Sequence, residues 1–226
     1  MRYRQVTLDK YTAAMTAAVA ELAAKGEPLK LRVSNGDTKI GRVKNVSVAP
    51  ILTCGNCTNC APYCYDIKAC LFRDTVMNAR AVNTALYYTD PEGFFAQCKK
   101  AMSPRCKHKY WRWQQGGEIV DMRYFVGMCQ TMRVRADWFS WTYTKMYEIV
   151  NAYIARGGLI PSNLQIMFSA DKNAVVDNPY GFPVFYTVIP GDTPPEGYYR
   201  CPGNCDICKA IHRGCIAGEN TYTNEH

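Results

Sequence analysis

Five short apolar runs, at residues 45–52, 110–114, 138–143, 164–169 and 184–189, recur along this chain. Helical periodicity fills much of the space between them. Strands of this length alternating with helices favour a parallel sheet, because each crossover returns the chain to the same edge. The first helical stretch covers residues 66–88. A second begins at Asp90-Pro91, with Asp as the cap and Pro in the first turn. A third carries Met122, Phe125, Val126, Cys129 and Met132 on one face. A fourth carries Met146, Ile149, Val150, Tyr153 and Ile154, and Gly157-Gly158 ends it. Residues 1–26 read as an amphipathic helix that stops at Gly26. Residues 29–34 and 39–43 read as a hairpin around Asn35-Gly36. Pro50 weakens the far end of the first core strand.

The strand count falls short of the eight of a closed barrel. The expected fold is therefore α/β, a partial (open) TIM-barrel-like parallel sheet flanked by helices. No repeat or low-complexity linker divides the chain, so residues 1–226 read as a single domain. Within it, 1–44 form the helix and hairpin, 45–200 the α/β core and 201–226 a cysteine-rich end.

The residues after each expected strand are the unusual ones. Cys54, Cys57, Cys60 and Cys64 follow the first, and Gly116-Gly117-Glu118 the second. Thr144-Lys145 follows the third and Ala170-Asp171 the fourth. Cys201, Cys205, Cys208 and Cys215 follow the fifth. In parallel α/β folds the loops after the strands form one rim, where ligands bind. Both cysteine runs are thus expected on one rim.

Composition decides what such thiols do. The chain has 226 residues, 48% hydrophobic and 20% charged, the balance of a globular protein. It has no apolar run near the ~18 residues of a membrane span and no segment patterned as a secretion signal. The expected location is the cytoplasm. There grouped cysteines are metal ligands more often than disulfides.

The first run has the spacing C-x2-C-x2-C-x3-C, which is that of a bacterial ferredoxin holding a [4Fe–4S] cluster. Thiolates three residues apart in a tight loop can each take one iron corner. Zinc is the alternative metal, although structural zinc sites more often pair two C-x2-C knuckles. Tyr65 stands where ferredoxins have proline, and the fourth cysteine of such a run can serve a second cluster. Cys64 therefore belongs with either run, or Cys70 replaces it. The second run opens C-x3-C-x2-C, with Cys215 as fourth ligand. That spacing resembles radical S-adenosylmethionine enzymes, which carry it after the first barrel strand and leave one iron open. An auxiliary or structural cluster, or zinc, is the plainer reading for this run. One or two [4Fe–4S] clusters are expected, and a redox-active cluster implies an electron donor.

Gly116-Gly117-Glu118 resembles the radical S-adenosylmethionine motif that contacts the cofactor's amino group. Glycines admit a ligand to the backbone and a carboxylate pairs with an ammonium. A plain glycine turn before a helix competes with this reading. Lys145 and Asp171 are candidates by rim position alone, against solvated surface residues. Cys98 and Cys129 read as core, and Cys106 as either exposed or a ligand. His108, His212 and His226 show no ligand spacing.

The formal charge is +8. Part of it gathers at 99–113, where Lys99, Lys100, Arg105, Lys107, Lys109 and Arg112 interleave with Tyr110, Trp111 and Trp113. Basic residues among aromatics suit nucleic acid; a solvated helix end leading into a buried strand is the plainer alternative.

Several segments resemble the phage and mobile-element "gene product 88" proteins. They are CGNCTNCAPYCYDIKAC at 54–70, MNARAVN at 77–83, YWRWQQGGEIVDMRYF at 110–125 and WTYTK at 141–145. DNPYG at 177–181, CPGNCDICK at 201–209 and RGCIAGENTY at 213–222 also match. The resemblance covers roughly residues 35–226. It implies a phage or prophage origin and carries no activity with it.

Overall fold

The computed structural model describes residues 3–55 and 60–224. Its centre is one seven-stranded sheet in which every pairing is parallel. The strands are β1 (Lys44–Val46), β2 (Tyr110–Trp113), β3 (Phe139–Thr144), β4 (Leu164–Ala170), β5 (Val184–Val188), β6 (Tyr199–Arg200) and β7 (Thr221–Asn224). Their order across the sheet is β1-β2-β3-β4-β5-β7-β6, so β1 and β6 are its edges. The helices are α1 (Gln5–Ala24), α2 (Tyr65–Phe72), α3 (Asp74–Thr89), α4 (Pro91–Ala101), α5 (Met122–Val134), α6 (Tyr147–Ala155) and α7 (Cys205–Ile211). Among the described residues no helix is long and apolar enough to cross a membrane.

Local chemistry sets the helix ends as expected. Asp90 caps α4 by accepting from the Gly93 amide at 2.8 Å, with Pro91 in the first turn. Asp121 caps α5 from the Tyr124 amide at 2.7 Å and also accepts the Tyr87 hydroxyl at 2.6 Å. Leu8, Tyr11, Met15 and Val19 give α1 one buried stripe, which packs with Ala81 and Ala85 of α3.

The period-two alternation of the strands separates two environments. Trp111 and Trp113, Ile166 and Phe168 point to one face. There they join Phe94, Phe95, Phe125, Met128 and Val150 from α4, α5 and α6 in the main core. Arg112, Trp141, Tyr143, Phe185, Thr187, Thr221 and Thr223 point to the other face. That second face is only partly apolar: Ile40, Val43 and Trp141 are its buried cluster.

Four expectations need correction. The hairpin at 29–43 is absent. Its first arm spends its amides on side chains, Leu31 N donating to Gln97 Oε1 and Arg32 N to Asn83 Oδ1, each at 2.8 Å. Its second arm is wound into a tight turn, in which Asp37 Oδ1 accepts from the Lys39 and Ile40 amides at 2.8 and 2.9 Å. Only single antiparallel bridges remain, Ser34 with Asn45 and Asp37 with Gly41. The first core strand stops at Val46, because the chain turns where Thr53 N bonds to Ala49 O at 3.2 Å and Ile51 takes φ 70. The 66–88 helix is two helices, broken at Arg73, whose backbone is extended. Finally, the second cysteine run does not follow the last strand. It lies between β6 and β7, two strands too short or too polar to show in an apolar pattern.

Candidate functional site

The runs of cysteines leave the sheet at its two edges, one after β1 and the other after β6. They nonetheless meet. The turn at 37–43 crosses the gap and packs on α7: the Cys205 amide donates to Lys39 O at 3.0 Å, and a Cβ on Gly41 would collide with the Asp206 carboxylate. Asn204 starts α7 by accepting the Asp206 amide at 2.8 Å. The result is one cavity of about 810 Å³ on the polar face of the sheet, at its C-terminal rim. Cys54, Cys60 and Cys64 line it from one side and Cys201, Cys205, Cys208 and Cys215 from the other. Gly116, Gly117, Glu118, Lys145 and Asp171 line it as well. Cys57 lies outside the described residues.

Cys54, Cys64 and the four cysteines of the second run form no disulfide. The four of the second run feel one another electrostatically: Cys201 and Cys205 both act on Cys208 and on Cys215. Burial pushes Cys215 up to about 12 and Cys208 up to about 11. Burial likewise pushes Cys64 up to about 12, with Cys60 adding to it. Among the described residues no three Cys, His, Asp or Glu side chains form a group that could hold a metal ion. Cys70 is elsewhere, buried with Tyr11 in the packing of α1 on α2 and α3. Cys98 and Cys129 are in the main core, and Cys106 is half-buried against it.

The Gly-Gly-Glu turn has internal reasons for its residues. A Cβ on Gly116 would collide with the Asp66 carboxylate. Gly117 takes φ 77, and a Cβ there would stand 2.7 Å from Val48 O and 2.8 Å from Thr53 Oγ1. Positive φ alone costs a non-glycine residue about 1–2 kcal/mol. Gly117→Ala is therefore expected to lose more than about 2 kcal/mol of unfolding free energy in denaturant titration, contact with a backbone carbonyl adding to the strain.

Glu118 is bound within the protein. Its Oε1 accepts the Lys145 amide at 2.7 Å, and its Oε2 accepts the Thr144 hydroxyl at 2.7 Å and the Ile119 amide at 3.0 Å. Burial outweighs these donors and pushes the carboxyl up to about 7. A carboxyl raised on folding binds its proton more tightly in the native state. Its contribution is complete below the ordinary glutamate value and is lost as pH rises through about 7. Stability should thus fall between pH 4.5 and 7 by at most about 3 kcal/mol on this account. Glu118→Gln should flatten that slope in melts across the range.

Lys145 and Asp171 are not solvated surface residues. Lys145 Nζ sits 2.7 Å from Asp171 Oδ2, and the Asp171 side chain is 3% exposed. Burial opposes the ammonium, but Asp171 and then Cys60 hold its pKa above the ordinary value. A second pair braces the other wall. Arg80 Nε and Nη2 donate to Asp66 Oδ2 and Oδ1 at 3.1 and 2.8 Å, both side chains largely buried.

Sequence reading did not single out Arg112 as a site residue. It grouped Arg112 with the basic aromatic stretch, yet β2 turns it into the cavity, 9% exposed, while Trp111 and Trp113 on the opposite face are fully buried in the core. The strict i, i+2 alternation of β2 was the available signal: an arginine between two tryptophans must face away from them. Of that stretch, Lys100, Arg105 and Lys107 are exposed.

No curated protein and no solved structure matches the chain. A family model described as Gene product 88 matches residues 6–184, from α1 to the start of β5. The match covers most of the chain and includes the first cysteine run and the Gly-Gly-Glu turn, so the protein belongs to the gene product 88 family.

Proposed function

We propose that the protein is an iron–sulfur redox protein whose cysteine runs hold their metal at the shared rim cavity. The observation that carries this reading is convergence. Seven described cysteines, from sequence segments more than a hundred residues apart, line one cavity although they follow opposite edges of the sheet. Packing alone does not require thiols there, and although two such segments could also hold zinc, the ferredoxin spacing of the first run favours an iron–sulfur cluster.

The donor set fits the cofactor in its chemistry. Thiolates are the soft ligands that iron–sulfur clusters and zinc select, and the first run has ferredoxin spacing with Cys57 at its centre. Burial raises Cys64 and Cys215, so loading these thiols would release their protons to solvent. A bound cluster would supply one-electron chemistry at the cavity floor. The chain's own residues would hold and shield it: the 37–43 turn and α7 cover one side, and the Lys145–Asp171 pair places a cation beside Cys60. The winding of β1 to β5 in chain order, with helices outside and the cavity inside, supports an open TIM-barrel-like scaffold.

A radical S-adenosylmethionine-like activity is the finer form of the proposal. It gains no support from Glu118, whose oxygens already accept three protein donors. The test is the visible and electron paramagnetic resonance spectra of protein purified without oxygen. A brown protein with a cluster signal on reduction supports the reading. A signal that changes when S-adenosylmethionine is added supports an open iron. A colourless protein carrying stoichiometric zinc sinks the iron–sulfur assignment.

A further inference from the structure

We propose that Arg112 is the anchor of an anion-binding subsite inside the cavity, for a small molecule that carries a carboxylate or phosphate group. The side chain is more than nine-tenths buried and lines the cavity from β2, beside the edge strand β1. Its guanidinium lies over the Tyr143 ring, 4.6 Å from the centroid. Among the described residues its Nε has no hydrogen-bond partner, and no carboxylate forms an ion pair with it.

A guanidinium has five donors in a fork that matches two oxygens of one anion. Burying that fork with no acceptor is unfavourable, and stacking on a tyrosine offsets it only in part. The groups around it do not supply the missing acceptor. Asp37 is the nearby carboxylate that feels Arg112, but it is taken by the Ile40 and Lys39 amides and by Gln115 Nε2 at 2.8 Å. Gln114 Oε1 accepts the Thr142 hydroxyl. Tyr65 donates its hydroxyl to Gln115 O. Cys205 and Cys215 are the remaining neighbours, and neither accepts a hydrogen bond from its Nε. Strain of this kind is retained where a ligand relieves it. Trp141, Tyr143 and Phe185 line the same wall and would pack the body of such a ligand.

The subsite rests on the buried Arg112 guanidinium without a partner at Nε and does not require metal on the cysteines. It is tested by calorimetric titration of the purified protein with inorganic phosphate and, separately, with malonate, at ionic strength held constant with chloride. The wild type should bind at least one of them at a single site, and which one answers separates a phosphate from a carboxylate ligand. Arg112→Gln should weaken that binding by at least about tenfold, since a bidentate charged pair is lost. The ligand-free variant should melt no lower than wild type, because an unpaired buried charge is gone. Arg156→Gln, at the exposed residue that follows α6, matches the change in net charge and should leave binding intact. The proposal is overturned if neither anion binds, or if Arg112→Gln binds as tightly as wild type. It is also overturned if that variant sheds metal with anion binding intact, which would make Arg112 the countercharge of the thiolates.

Discussion

Arg80→Ala is expected to lower the unfolding free energy by about 3–5 kcal/mol, among the largest losses a single substitution here can cause. Arg80 on α3 and Asp66 on α2 form a two-bond pair, with side chains 11% and 4% exposed. Removing one partner leaves the other charge buried without compensation. The pair also fixes a third element, because Gly116 of the β2–α5 turn lies against the Asp66 carboxylate and donates its amide to Ser47 Oγ at 3.1 Å. The wall beside Cys64 therefore rests on it. Denaturant titration measures the loss. Asp66→Leu combined with Arg80→Met should recover much of it, since an apolar pair of similar volume replaces the ions. A loss below about 1 kcal/mol for Arg80→Ala would mean that water reaches the pair and screens it.

The second large effect concerns the thiols. Replacing Cys205 and Cys208 together by serine should remove most of the metal bound through the second run, because serine oxygen is a poor ligand for a soft centre. Fold should persist, since α7 covers the cavity and contributes little to the main core. Cys70→Ser offers the contrast. Its thiol is buried with Tyr11 under α1, so the substitution should cost stability and leave the metal content unchanged. Metal analysis and circular dichroism on both variants separate the two roles. Retention of full metal by the Cys205 and Cys208 variant would exclude the second run as ligands.

Much of this arrangement is legible in the sequence, for physical reasons that also mark the limits. Strands β2 and β4 announce themselves because one face of each feeds a core of tryptophan, phenylalanine and isoleucine, and β3 and β5 because their aromatic residues Trp141, Tyr143 and Phe185 line the cavity face. The apolar signal also places the rim loops after the strands and, with the 45–52 run, the first cysteine run; the second follows β6, which that signal does not show. β6 and β7 leave no such trace. β6 has two residues, and the inward residues of β7 are Thr221 and Thr223, which face a polar cavity. The hairpin expected from Asn35-Gly36 fails because side chains outside it, Gln97 and Asn83, capture the amides its ladder needs. Long-range competition of that kind has no local signature. Lys145 and Asp171 were placed on the rim by position, but their mutual pairing spans 26 residues and depends on the sheet register. Arg112 was hidden by its surroundings in sequence, since its basic neighbours suggest a surface while the strand turns it inward.

The central claim, that both cysteine runs serve a metal centre at one cavity, is tested most directly by counting metal. Iron, acid-labile sulfide and zinc should be determined per chain in protein purified without oxygen, in the wild type and with serine at Cys54, Cys60 and Cys64 or at Cys201, Cys205 and Cys208. The account predicts about four iron and four sulfide per cluster in the wild type, and a loss of iron and sulfide in each variant. Folded wild type without iron or sulfide, or iron content indifferent to either set of substitutions, would contradict it.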